Sequence, residues 1–255
     1  MARSRRVGIH RLIDGKLRIQ EDALAVECLI ELTSQSKPIS RLLGTPTNLR
    51  ELFVGHAYSE GYGDIRHSEV KVHTHSSGSV QAQIGEEILP RPSNERIITS
   101  SCGACEADGL EELVDSLEPF TEQHPQYDHH LIFSAFLDMK KHQDGFRETG
   151  GMHAAALWSE SIGLHCVAED IGRHNAVDKS IGFALIQNTN LSHQFLLLSG
   201  RCGWDLVAKA SRSGIGTIFC IGACSTLAAD TARHLGMRIF SFMKTESSVG
   251  IGVLQ

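Results

Sequence analysis

The chain has 255 residues, with 24 Lys and Arg against 30 Asp and Glu, a formal net charge of −6. Hydrophobic residues make up 41% and charged residues 21%, which excludes disorder and fibrous repeats and leaves one large domain or two modest ones. The acidic balance argues against binding to nucleic acid polymers, and seven unevenly spread cysteines make a poor disulfide framework. The basic start from Met1 to Arg6 leads into no apolar stretch of signal or membrane-spanning length. The expected setting is therefore a reducing cytosol, without membrane insertion.

In chain order, residues 16–98 read as short strands and turns. Residues 24–32 mix apolar side chains with Glu27 and Glu31, and residues 71–84 alternate polar and β-branched ones. Between them, Leu49, Leu52, Phe53 and Ala57 predict a helix over 48–58, with Asn48 or Thr47 as its cap and Glu60-Gly61 as its stop. Residues 107–126 read as a connector with some helix, ended by Pro119 and Pro125. The spacing of Ile132, Phe133, Phe136, Leu137 and Met139 predicts an amphipathic helix over 129–142, and an alanine- and leucine-rich run predicts a second over 152–162.

Strands predicted at 164–168, 195–199, 217–221 and 238–242 then alternate with helices at 176–187, 205–213 and 225–235. This rhythm indicates a layered α/β domain with largely parallel pairing. The change of character near residue 125 divides the chain into a β-rich N-terminal region, 1–125, and an α/β domain, 126–255.

Four stretches carry chemistry. Cys102-Gly-Ala-Cys105 sets two thiols three positions apart, able to exchange a disulfide, share a metal or pass a sulfur. A structural zinc would need further ligands, since no second such pair exists, and the acids Glu106, Asp108, Glu111 and Glu112 supply no thiolate-stabilising field. Packing of one or both thiols as small core residues is the alternative. In Thr149-Gly-Gly151-Met-His153, adjacent glycines permit close backbone approach to an anion at a helix start, with His153 in the first turn.

Glu169, Asp170, Gly172, Arg173, His174, Asn175, Asp178 and Lys179 follow a predicted strand, where ligands bind in open α/β sheets. Arg173 and Lys179 suit phosphate and Asp170 or Asp178 a base or sugar; an ion-pair brace at a helix start is the alternative. Ser199-Gly200-Arg201 after the next strand, with Gly222 to Thr226 after the third, can line the same crevice or form ordinary turns. No phosphate-binding GxxxxGK[ST] loop is present, and His56, Ser59 and Glu60 between Gly55 and Gly63 make a weaker candidate.

Together with Glu21-Asp-Ala-Leu-Ala-Val26, Lys209 and Thr226-Leu-Ala228, these ordered motifs resemble the formate dehydrogenase accessory protein family across most of the chain. The resemblance implies a cytidine-deaminase-like layered α/β core with a β-rich N-terminal region, and a homodimer. It implies a sulfurtransferase whose Cys102 and Cys105 take persulfide sulfur from a cysteine desulfurase. That sulfur would pass to the molybdenum bis-guanine-dinucleotide cofactor, bound as a substrate, for the formate dehydrogenase catalytic subunit. Gly151, His153, Asp170, Gly172, Arg173, His174, Asp178, Lys179, Ser199, Gly200 and Arg201 would hold the guanine-dinucleotide end, and no resident metal is expected.

The chain departs from the family pattern at Glu106, where glycine is usual, at Cys28 and Cys224, where proline is, and at Ser241-Phe-Met-Lys244, where a glycine–phenylalanine–arginine pattern closes the family sequence. Deaminase chemistry is not expected, because Ala154 and Ala155 follow His153 where a His-x-Glu would be needed. Three rival readings remain open at this point: a non-catalytic cofactor-binding chaperone with a structural zinc or dithiol CxxC, a zinc-stabilised or dithiol redox protein, and a metabolic α/β enzyme indifferent to both thiols.

Overall fold

In the computed structural model, which describes residues 1–88, 114 and 117–254, the chain opens with an antiparallel hairpin of β1 (Ser4–Ile13) and β2 (Lys16–Ala25). Its turn is Asp14-Gly15, both at positive φ as a tight hairpin turn requires. The strands β3 (Cys28–Ser34), β4 (Lys37–Gly44), β5 (Lys71–Thr74) and β6 (Val80–Ile84) form a second sheet in the order β4-β3-β6-β5. Helix α1 (Leu49–Ser59) lies between β4 and β5 in the chain, close to its predicted span. Asn48 occupies its cap position in a left-handed conformation, without a side-chain capping bond.

The rest of the chain builds the core. Helices α2 (His129–Lys141) and α3 (Asp144–Thr149) lead into β7 (His153–Ser159) and β8 (Gly163–Asp170). Then follow α4 (Arg173–Ile186), β9 (Phe195–Leu198), α5 (Trp204–Arg212), β10 (Thr217–Cys220), α6 (Thr226–His234), β11 (Arg238–Ser241) and β12 (Val249–Gly252). The sheet order is β12-β11-β10-β9-β7-β8. Strands β9, β10 and β11 are parallel, while β7 runs antiparallel to both β8 and β9, and β12 antiparallel to β11.

The helix expected over 152–162 is therefore a central strand. Its residues alternate between two buried faces: Ala155 and Leu157 join one hydrophobic cluster, Ala154, Ala156 and Trp158 the other. Period-2 packing on both sides outweighs the helical preference of alanine and leucine, which is only a weak prior.

One face of the six-stranded sheet carries α2 through Ile132, Ala135, Phe136 and Met139. The opposite face carries α4, α5 and α6, together with α1 and the inner side of the four-stranded sheet, in one continuous core. Helix α1 is buried almost all round, including Gly55, His56 and Ser59. It crosses α4 at backbone contact: a Cβ on Gly55 would strike the Asp178 carbonyl, and one on Gly182 the Glu51 carbonyl. Among the described residues no helix is long and apolar enough to cross a membrane.

Candidate functional site

Strands β8, β9 and β10 end at one edge of the large sheet, and antiparallel β7 begins there. His153 is consequently the first residue of β7, paired with Asp170 at the end of β8, and not part of a helical turn. Ser199 follows β9 directly; its N–H donates to the Ala154 carbonyl at 3.0 Å, and its Oγ accepts from the Ala154 N–H at 2.8 Å. Gly200 lies so close to the His153 ring that an added Cβ would stand 3.2 Å from Nδ1. The Gly222 N–H donates to the Gly200 carbonyl at 3.0 Å, tying the loop after β10 to the same edge.

These loops open on a cavity of about 490 Å³, lined on its polar side by Gly151, His153 and Ser199 and on its apolar side by Phe136, Phe146 and Ile221. Phe146 and Ile221 keep 44% and 42% of their surface exposed, a large apolar area beside polar donors. Burial holds the His153 imidazole below the usual histidine value, and the charges of Arg173 and Arg201 add to this while Asp170 opposes it. Arg201 is exposed and has no ion-pair partner among the described residues. The edge thus gathers Gly151, His153, Ser199, Gly200 and two guanidinium groups, a donor-rich setting for an anion.

Arg173, at the start of α4, is held by Asp205 at 3.4 Å. His174 Nε2 rests against the same carboxylate, and burial pushes this imidazole down to about 4 although Asp205 pulls the other way. Asp205 was not among the expected site residues. Its signal was an acid in the first turn of a helix that follows Ser199-Gly-Arg201.

The remaining expected contacts face inward. Asp170 and Lys179 are fully buried and paired at 2.6 Å. Asp170 also accepts from the Thr45 N–H at 3.1 Å, the Gly172 N–H at 2.8 Å and Asn175 Nδ2 at 3.1 Å. Lys179 donates to the carbonyls of Thr45 at 3.0 Å and Glu169 at 3.3 Å, and to Thr47 Oγ1 at 3.4 Å. Both groups are satisfied within the chain, so their contribution is to set the loop from which Gly172 and Arg173 emerge. Glu169 accepts from the Gly145 and Phe146 N–H groups at 2.7 and 2.8 Å, anchoring the start of α3 beside the cavity.

Asp178 sits deeper. It faces His56 Nδ1 at 2.9 Å, accepts from Ser59 Oγ at 2.7 Å, and pairs with Lys209 at 2.8 Å; Lys209 also reaches Glu60 at 2.6 Å. Burial alone would raise Glu60 and Asp178, yet Lys209 holds both below the ordinary carboxylate range. The lysine itself, which burial alone would lower, is raised by the same two carboxylates. His56 Nε2 lies 2.9 Å from Ser40 Oγ, so Ser40, His56 and Asp178 stand in the order of a hydrolytic triad. With exposures of 6%, 3% and 1%, however, none of them can meet a substrate, and the group is a brace.

Cys102 and Cys105 lie outside the described residues, as do residues 107–113, 115 and 116 of the predicted connector. The five described cysteines, Cys28, Cys166, Cys202, Cys220 and Cys224, are free thiols. Among the described residues no group of His, Cys, Asp and Glu is placed to hold a metal ion.

The sequence profile of the FdhD/NarQ family matches residues 25–249. A curated protein from Sulfurisphaera tokodaii, named Sulfur carrier protein FdhD, is 30% identical over 247 residues, covering 95% of this chain and 94% of its own. A namesake from Thermoplasma volcanium is 33% identical over 239 residues, covering 89% and 84%. Among solved structures, one described as a formate dehydrogenase accessory protein from Desulfotalea psychrophila superposes with a TM-score of 0.76 at 19% identity, covering 100% of this chain and 99% of its own. That likeness bears out the expected fold, a layered α/β core with a β-rich N-terminal region.

Proposed function

Because the chain belongs to the FdhD/NarQ family, we propose that it is a sulfur carrier acting on the molybdenum bis-guanine-dinucleotide cofactor in support of formate dehydrogenase. The observation that carries this reading is the edge where His153, Ser199 and Gly200 meet beside the charges of Arg173 and Arg201. A pyrophosphate-bearing nucleotide needs such a local positive field on a chain of net charge −6. The adjoining apolar wall suits the flat face of a base.

Sulfur moves on Cys102 and Cys105 in this reading. The thiolate of one attacks the terminal sulfur of a desulfurase persulfide; the donor's S–S bond breaks, and the desulfurase thiolate departs. The second thiolate of the pair then attacks the inner sulfur of this persulfide, so a Cys102–Cys105 disulfide forms, the S–SH bond breaks and the terminal sulfur leaves as hydrosulfide, which would serve as a ligand for the cofactor held as substrate. The chain works in the cytosol as a homodimer, with the desulfurase and the formate dehydrogenase catalytic subunit as partners.

Intact-protein mass after incubation with a cysteine desulfurase and cysteine tests this reading. Located by peptide mapping, wild type should gain a sulfur atom on Cys102 or Cys105, and Cys102→Ala or Cys105→Ala should lose it from that segment. If neither thiol takes up sulfur while guanine nucleotide still binds, the protein is a cofactor-binding chaperone. Stoichiometric zinc lost in both variants would make the pair a structural metal site.

A further inference from the structure

Three thiols meet just behind the crevice loops. Cys202, after β9, and Cys224, after β10, face each other in a single parallel bridge. The Cys202 N–H donates to the Ala223 carbonyl at 3.0 Å and the Ser225 N–H to the Cys202 carbonyl at 3.1 Å. Residues opposed in this way lie about 4.8 Å apart and point their side chains to the same side. Cys220 ends β10 beneath them.

The three differ in access. Cys202 and Cys220 are buried, whereas Cys224 is half-buried, with exposed Ser225 and Thr226 after it. Its loop continues from Ile221, which lines the crevice wall. Ser225 caps α6, so Cys224 stands at the positive end of that helix.

We propose that Cys224, backed by Cys202, is a further thiol, additional to Cys102 and Cys105, that accepts sulfane sulfur from a persulfide at the rim of the crevice. The proposal deepens the sulfur-carrier reading and rests on it for the class of donor. The Cys224 thiolate attacks the terminal sulfur of R–S–SH, the R–S–S bond breaks, and RS⁻ leaves and takes up the proton. The product is Cys224–S–SH, with no net oxidation.

The local chemistry fits this division of roles. The neighbouring Cys202 thiol draws Cys224 toward thiolate; burial opposes this and Arg233 assists it. Cys202 is correspondingly raised by its contact with Cys224, by burial and by the neighbouring Cys220 and Asp205. Burial pushes Cys166 and Cys220 up to about 12 and raises Cys28 as well, so Cys224 is the one described thiol moved toward reactivity.

The test uses the full chain carrying Cys102→Ser and Cys105→Ser, with inorganic polysulfide as donor, followed by alkylation, proteolysis and mass spectrometry. The Cys224 peptide should gain one sulfur atom, and Cys224→Ser should abolish the gain. Cys202→Ala should lower loading at neutral pH about fivefold and move its midpoint to higher pH, while Cys202→Ser, which keeps a donor, should restore it. Melting curves confirm that each variant is folded. An unloaded Cys224 peptide overturns the proposal, as does loading indifferent to Cys202. A Cys202–Cys224 disulfide as sole product also overturns it, since that is a redox bridge and not a carrier. Loading of Cys102 or Cys105 in wild type is read separately, so this proposal can fail while the carrier reading stands.

Discussion

Ser199 and Ala154 clasp each other twice, through the Ser199 N–H to the Ala154 carbonyl and the Ala154 N–H to Ser199 Oγ. Because the serine oxygen is the acceptor in the second bond, its own proton is left to donate into the crevice. Ser199→Ala should therefore weaken guanosine diphosphate roughly tenfold, as loss of a bond to a charged group does. Calorimetric titration measures this, with Ser199→Thr retaining affinity. Unchanged binding in the alanine variant would place the phosphate elsewhere.

Arg201 is an exposed cation beside the crevice, and its removal should act through charge. Arg201→Ala should weaken guanosine diphosphate by tenfold or more and flatten the dependence on salt, with Arg201→Lys intermediate. Binding measured from about 50 to about 300 mM salt separates these outcomes.

The pH dependence of binding follows from His153, whose folded value is lowered by burial and by Arg173 and Arg201. A bound phosphate favours the protonated ring, so complex formation takes up a proton. Affinity should rise as pH falls through the bound-state value and level off below the free-state one, which lies under about 6.5. His153→Gln should remove the slope, and isothermal titration in buffers of different ionisation enthalpy counts the proton.

The brace around Asp178 predicts where stability is lost. Asp178→Ala leaves buried Lys209 with Glu60 as its remaining carboxylate and removes the partner of His56, and should cost about 3 kcal/mol in urea unfolding. Glu60 and Asp178 have folded values below their unfolded ones, so their contribution is present above about pH 4.3 and disappears as pH falls further. Lys209 is raised, so its contribution is complete below about pH 10.4 and fades as pH rises beyond that. A stability plateau bounded on both sides should result, its alkaline edge absent in Lys209→Met.

The helix crossing gives a prediction of unusual sign. On helix propensity alone, Gly55→Ala or Gly182→Ala should add up to about 1 kcal/mol. Each new Cβ meets a backbone carbonyl of the partner helix, which cannot rotate away. Net destabilisation is expected, of about 1–3 kcal/mol or more, readable as a lowered melting temperature.

Much of the large sheet was legible in the sequence because β8 to β11 are short apolar runs between helices with clear punctuation. Strand β7 was hidden by its own burial: with both faces covered, no polar residue marks the period of two in Ala154 to Trp158. Strand β1 escaped notice because the hairpin's apolar residues face outward, Leu12 and Ile19 among them. The placing of Ser199 and Arg201 at one sheet edge could be anticipated from strand ends, whereas His153, read as part of a helix, could not. The inward turn of Asp170, Asp178 and Lys179 could not, since Asp178 meets His56 across 122 positions and Ser59 across 119.

Those separations also govern the order in which the chain can become native during synthesis. Ser40, His56, Ser59 and Glu60 leave the ribosome long before Asp178 and Lys209 exist to receive them. The first third of the protein therefore emerges with a buried-type helix, α1, that has neither its ionic partners nor the α4 backbone against which its glycine fits. Folding must wait for a late, long-range closure, which makes the nascent chain slow to mature and dependent on protection until residue 209 has emerged.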